Sequence, residues 1–174
     1  MKTDEVKLLY EYNYWVVRRI LTTCANVSQE QYVAPTSYGS LRATLIHTLD
    51  AEWAWGLICK ESSQAAEPKL WDHPELTEAD LPTLDALQER WQAEEREMRV
   101  YLGSLNDQDL NGLVRYLIPS GIVRERVLWH CLLHIVNHGT QHRSEAAALL
   151  TSYGWSPGDL DFTRFLNEHF NLPS

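Results

Sequence analysis

Four of the seven histidines in this chain, His130, His134, His138 and His142, recur at four-residue intervals. A neutral imidazole offers a nitrogen lone pair, the donor that zinc, nickel and similar ions take most readily. On a helix, residues i and i+4 lie about 40° apart around the axis and about 6 Å apart along it, so one neighbouring pair can converge on an ion. A histidine two steps away is about 12 Å along the axis, beyond the reach of metal to nitrogen bonds of about 2.1 Å. The row therefore gives one pair to any single ion, and a third donor has to come from another element. His47, inside the apolar run LRATLIHTLDAEWAW, is the candidate. Three imidazoles leave a coordination position open, as catalytic zinc sites do and four-ligand structural sites do not. An ion held in this way brings bound water to a pKa near 7 and deprotonates a bound thiol, which opens hydrolysis and thiol transfer. An i, i+4 histidine pair by itself carries little weight, since helix-borne histidines commonly satisfy a core polar contact or sit half exposed.

The elements that position these residues are helices. Over about 4–25, Val6, Leu9, Asn13, Val16 and Ile20 recur at helical spacing, and Thr3 stands where a cap is wanted. A second helix follows PTSYGS, with Ser40 as its N-cap, and runs over about 41–60 with His47 two turns inside. The stretch 61–81 has no clear period and reads as a long connection. A third helix covers about 83–103, turning Leu84, Leu87, Trp91, Met98 and Leu102 inward and Glu89, Arg90, Glu94, Glu95, Arg96 and Glu97 largely outward. LVRYLI and GIVRE flank Pro119-Ser120 and read as a short extended excursion or an irregular loop. The fourth helix, about 126–152, carries the histidine row and ends at Gly154, and Ser156-Pro157 opens a short terminal helix reaching about residue 167. The expected class is all-α, a single domain over 1–174 built as a four-helix bundle with a short C-terminal helix. Topology decides which pair joins His47: antiparallel second and fourth helices select His138 and His142, parallel ones His130 and His134. The long connection leans toward the first without deciding it.

A formal net charge of −9, with scattered basic residues, argues against a nucleic-acid partner, because such partners are bound by clustered Lys and Arg. Cys24, Cys59 and Cys131 are widely spaced and form no C-x-x-C pair, which indicates neither a disulfide framework nor a thiolate metal site. No run of 18 apolar residues occurs, and acidic residues interrupt the N-terminal segment. The expected location is cytoplasmic, away from membranes, with a small-molecule substrate.

YNYWVVRRIL, GSLRATLIHTLDAEWAW, HIVNHGTQHRSEAAALL and SPGDLDF, which together span nearly the whole chain, resemble the DinB family. The resemblance implies an up-down-down-up four-helix bundle. It also implies one divalent metal ion, zinc or nickel, held by His47 and by the two histidines of the H-x-x-x-H-R segment, His138 and His142. Relatives of this kind include metal-dependent transferases that use low-molecular-weight thiols such as bacillithiol or mycothiol, so the implied function is thiol S-transfer to small electrophiles. A non-catalytic metal-binding or dimerising module and a small hydrolase are the alternatives. Where the family often reads H-R-G-Q, this chain has His142-Arg143-Ser144-Glu145. Glu145, about −20° around from His138, reads first as a surface acid paired with Arg143 or a lysine. His134 reads as a buried or supporting histidine, His130 as structural, and His73 and His169 as solvated. Asn13 is expected to hydrogen-bond within the bundle. Glu52, about 140° around from His47, falls outside the ligand set. Trp15, Trp53, Trp55 and Trp129 read as core, with one or two at a pocket mouth.

Overall fold

Four of the helices start where a side-chain oxygen accepts a backbone N–H that has no partner inside the helix, Ser28 taking that of Gln31 at 3.2 Å at the shortest of them. Ser40 takes the N–H of Ala43 at 3.0 Å, Thr83 that of Ala86 at 3.1 Å, and Asp161 that of Thr163 at 2.7 Å. The computed structural model describes residues 1–37, 39–63 and 67–172. Within them α1 spans Thr3–Cys24, α2 Gln29–Val33, α3 Leu41–Ser62, α4 Leu84–Ser104, α5 Leu128–Ser152 and α6 Phe162–His169. The strands are β1 at Lys69–Leu70, β2 at Leu113–Leu117 and β3 at Val123–Val127.

The four long helices stand as expected, with three local differences. Lys2, not Thr3, precedes α1, and the Thr3 hydroxyl instead donates to Asp107 at 2.7 Å. The short helix α2 was not anticipated, although Ser28 and Gln31 form the reciprocal capping box that marks a helix start. The terminal helix α6 begins at Phe162 because Asp161, and not Ser156-Pro157, caps it. Gly154 does take the left-handed φ of 89° that closes α5.

The all-α class needs a correction, because a three-stranded sheet caps one end of the bundle in the order β1-β2-β3. β2 and β3 form an antiparallel hairpin with Leu113 opposite Val127. The hairpin forms because Val114 and Tyr116 alternate inward into the core, while Gly121 takes the positive φ its turn requires. β1 lies parallel to β2, pairing Lys69 with Tyr116, and Trp71 N–H donates to Leu117 C=O at 2.7 Å. Of the connection expected over 61–81, residues 64–66 lie outside the described residues.

α3 and α5 share the most extensive helix contact. His47 meets His142 while Trp55, two turns further along α3, meets His134, two turns earlier on α5; the two helices run antiparallel. Apolar residues from all four long helices fill the bundle, among them Ile20, Leu49, Trp91 and Leu132. Glu94, expected largely outside, is fully buried. Lys60 at 3.7 Å and Arg90 at 3.4 Å compensate its charge, and Gly56 leaves the room, since a Cβ there would lie 3.2 Å from Glu94 Oε1. No helix among the described residues is long and apolar enough to cross a membrane.

Candidate metal centre

His47 follows Leu45 and Ile46, both buried, and precedes the buried Thr48 and Leu49, so its own side chain falls at the exposed edge of α3. On α5 the buried residues Ile135, Gly139, Arg143 and Ala146 turn the opposite face inward and leave His138 and His142 half-buried at the seam with α3. The structure brings His47, His138 and His142 together. Their ring centroids are 5.2 Å (His47 to His138), 4.7 Å (His47 to His142) and 4.5 Å (His138 to His142) apart. One ring nitrogen from each lies within 4.8 Å of the others. Tetrahedral ligation with bonds of about 2.1 Å needs about 3.4 Å between nitrogens, so modest side-chain rotations close the set around an ion.

The electrostatics suit a metal as well. Burial pushes the His138 imidazolium down to about 4, and the neighbouring His142, His47 and His134 add to the effect, so His138 is neutral at neutral pH with its lone pair available. Glu145 Oε2 lies 2.7 Å from His142 Nδ1. An ionised carboxylate can only accept, so the proton sits on Nδ1 and Nε2 is left as the donor to an ion. The expectation that Glu145 is a surface acid paired with Arg143 or a lysine is therefore corrected. Arg143 turns into the core, and the carboxylate supports a candidate ligand. The departure from the family's H-R-G-Q pattern was the signal for this role.

The other histidines stand apart from the trio. His134 is exposed, which leaves the supporting alternative and not the buried one; it packs edge-on to Trp55 at 4.8 Å with its ring 5.8 Å from that of His138. His130 is exposed beside Trp129, and His169 lies at the surface against Phe165 and Phe170. His73 is not solvated. It is half-buried, its Nδ1 accepts from Trp71 Nε1 at 3.2 Å, and its Nε2 lies 3.7 Å from Asp50 Oδ1. Asp50, nearly one turn beyond His47, also takes the Leu76 N–H at 2.8 Å, which lays this connection along α3 beside the trio.

Trp15, Trp53, Trp55 and Trp129 are half-buried; Trp15, Trp55 and Trp129 pack against the core from its edge, while the fully buried tryptophan is Trp91. Trp55 lies nearest the trio in the chain of ring contacts, through His134, with Trp71 4.6 Å from it on the other side. Asn13 does hydrogen-bond within the bundle, donating to both Glu52 oxygens at 3.4 and 3.3 Å and accepting from Arg143. Glu52 is buried, and burial pushes its carboxyl up to about 7 against the opposing pull of Arg143 and Asn13. Cys24, Cys59 and Cys131 are buried and free; Cys59 and Cys131, distant in sequence, face each other across the α3–α5 seam, and each perturbs the other's thiol, Cys59 upward and Cys131 downward.

Comparison with known proteins sets this geometry in a family. The protein described as Protein DinB from Bacillus subtilis (strain 168) is 24% identical over 170 residues, covering 91% of each chain. Among solved structures, YfiT from Bacillus subtilis is described as a probable metal-dependent hydrolase with an unusual four-helix bundle topology. It superposes with a TM-score of 0.67 at 18% identity over 88% of this chain and 89% of its own. A model of the DinB family matches residues 1–170, which include both helices that carry the histidine trio, and this chain belongs to the DinB family.

Proposed function

We propose that this protein is a metal-dependent enzyme acting on a small molecule, with one divalent ion, zinc or nickel, held by His47, His138 and His142 and hydrolysis as its reaction class. The observation that carries the reading is the convergence of three imidazole donors at a surface seam, with His47 exposed and the other two half-buried. That arrangement leaves the solvent side of the trio free for a substrate. A bound ion supplies Lewis acidity and a nucleophile active near neutral pH. The chain's own residues keep His138 neutral, fix the His142 tautomer through Glu145, and set Trp55 and His134 beside the approach. The description of YfiT as a metal-dependent hydrolase supports the choice of hydrolysis. Thiol transfer would use the same donors. A net charge of −9 favours a small-molecule partner over nucleic acid, and the free cysteines Cys24, Cys59 and Cys131 are in keeping with a cytoplasmic location.

We also read the four long helices as up-down-down-up. Arg99 pairs with Glu11 and Arg18 with Glu95, which opposes α1 and α4. Arg90 lies over Trp53 and Tyr101 donates to the carbonyl of Cys59, which aligns α3 with α4.

The test is ligand access in the cobalt-substituted protein. Acetohydroxamate or a small thiol should change the visible spectrum, and His47→Ala should take up little cobalt. An ester-hydrolysis and thiol-conjugation screen with and without chelator then assigns the reaction. A spectrum indifferent to hydroxamate, thiol and anions would refute an enzyme and leave a structural clip; chelator-sensitive conjugation without hydrolysis would move the reading to a transferase.

A further inference from the structure

We infer that Arg143, Asn13 and Glu52 form a buried positioning device for the three-histidine centre, an inference that rests on the metal-binding reading above. Arg143 follows His142 directly, but its side chain enters the core, where it is 2% exposed. One guanidinium nitrogen donates to Asn13 Oδ1 and the other to Thr140 Oγ1 at 3.0 Å. Asn13 passes the connection on to Glu52, which is 4% exposed. The chain of contacts thus runs from α5 through α1 to α3, starting one residue after His142 and ending five residues after His47.

Gly139 shows where the guanidinium lies. A Cβ at that position would collide with Arg143 Nη1 and sit 3.2 Å from its Cζ and 3.3 Å from Asn13 Oδ1. Gly139 follows His138 directly, so the guanidinium occupies the space beneath the single turn that carries both His138 and His142. Any other residue at 139 would force the guanidinium to shift from this place.

Stability alone is a poor reason for this construction. Among the described residues Arg143 and Glu52 attract each other without a direct salt bridge, because Asn13 stands between them, and Arg143 Nε has no partner. Buried ionic groups joined this loosely are commonly less stabilising than apolar residues of the same volume. The contacts do fix the height and rotation of the α5 ligand turn relative to α3, which three donors converging within 4.8 Å require. Arg143, Asn13 and Glu52 are accordingly positioning residues that act through the histidines.

The experiment separates geometry from stability by replacing the network with apolar groups in the triple variant Asn13→Leu, Glu52→Met, Arg143→Met. Zinc affinity is measured by competition with a chromophoric chelator, and the stability of the metal-free protein by urea unfolding. The expected result is metal-free stability equal to or above wild type with zinc affinity reduced at least tenfold. Affinity equal to wild type in the folded triple variant overturns the inference. Gly139→Ala gives an independent arm if the triple variant does not fold: it improves helix propensity yet displaces the guanidinium, and an unchanged zinc affinity there also overturns the inference. Failure of the underlying reading looks different, as wild-type protein that takes up no zinc or takes it up independently of His47.

Discussion

Removing the carboxylate behind His142 tests the candidate centre without touching a candidate donor. Glu145 Oε2 sits 2.7 Å from His142 Nδ1, and the two side chains are 24% and 17% exposed, so the bond is partly shielded from water. In metal sites such outer carboxylates raise the basicity of the histidine and hold its ring, and their loss typically costs about 10- to 100-fold in metal affinity, or roughly 1.4–2.8 kcal/mol. Partial exposure places this contact toward the lower end, about tenfold for Glu145→Ala. Glu145→Gln keeps an acceptor at the same reach but loses the charge, so its loss should be smaller, about threefold, since charge-assisted bonds are roughly twice as strong as neutral ones. Metal-free stability should change by less than about 1 kcal/mol in either variant, because the site is at the surface of a helix and both substitutions retain good helix formers. Chelator competition with zinc at fixed pH reads the series. Equal affinities in wild type, Gln and Ala would refute the supporting role; a complete loss of binding in Glu145→Ala would instead make the carboxylate a direct ligand.

The histidine row gives a sharp contrast: His138→Gln should lose most bound metal and His130→Gln almost none, since His130 lies two turns away on α5, and equal losses by metal analysis would show that the wrong pair has been chosen. Glu52 should make metal-free stability fall as pH rises. Its carboxyl is pushed from an ordinary value of 4.5 to about 7 in the fold, so between those values the native state holds a proton that the unfolded chain has lost. The penalty is absent below about 4.5, grows toward 7 and is complete above it, amounting to about 3 kcal/mol at most by the free energy of a pKa unit. Urea unfolding from pH 4.5 to 8 should show that slope reduced in Glu52→Gln, and an identical slope in both proteins would contradict it.

Much of the centre was legible because helical spacing is a strong constraint. The four-residue histidine row excluded all but neighbouring pairs, and the cap at Ser40 set His47 two turns into its helix. Spacing alone left the choice between His130/His134 and His138/His142 to topology, and the encounter of His47 with His142 on antiparallel helices answers it. Contacts made at long range were not legible. Arg90, one turn earlier, is the local part of the compensation of Glu94, but an i, i+4 pair is as common on a solvated face; the second cation, Lys60, and the space left by Gly56 come from another helix. The same holds for His73, which Trp53 and Asp50 on α3 shield, and for Arg143, whose partner Asn13 is 130 residues away. β1 is two residues long, too short for any alternation to show.

That short strand has a consequence for the order in which the molecule assembles. Lys69 pairs with Tyr116, about 47 residues further along, and α4 lies wholly between them. Pairing at such separation carries a large closure entropy, which two residues of parallel ladder cannot offset by themselves. The ladder therefore closes only after α4 has folded back and brought β2 against α3. Amide protons of β1 and Trp71 report on that closure, and in native-state exchange they should open before the α3–α5 seam. Thus β1, and not the local β2–β3 hairpin, is the latch expected to fasten last and release first, and the connection it fastens is the one that runs past Asp50, beside the histidine trio.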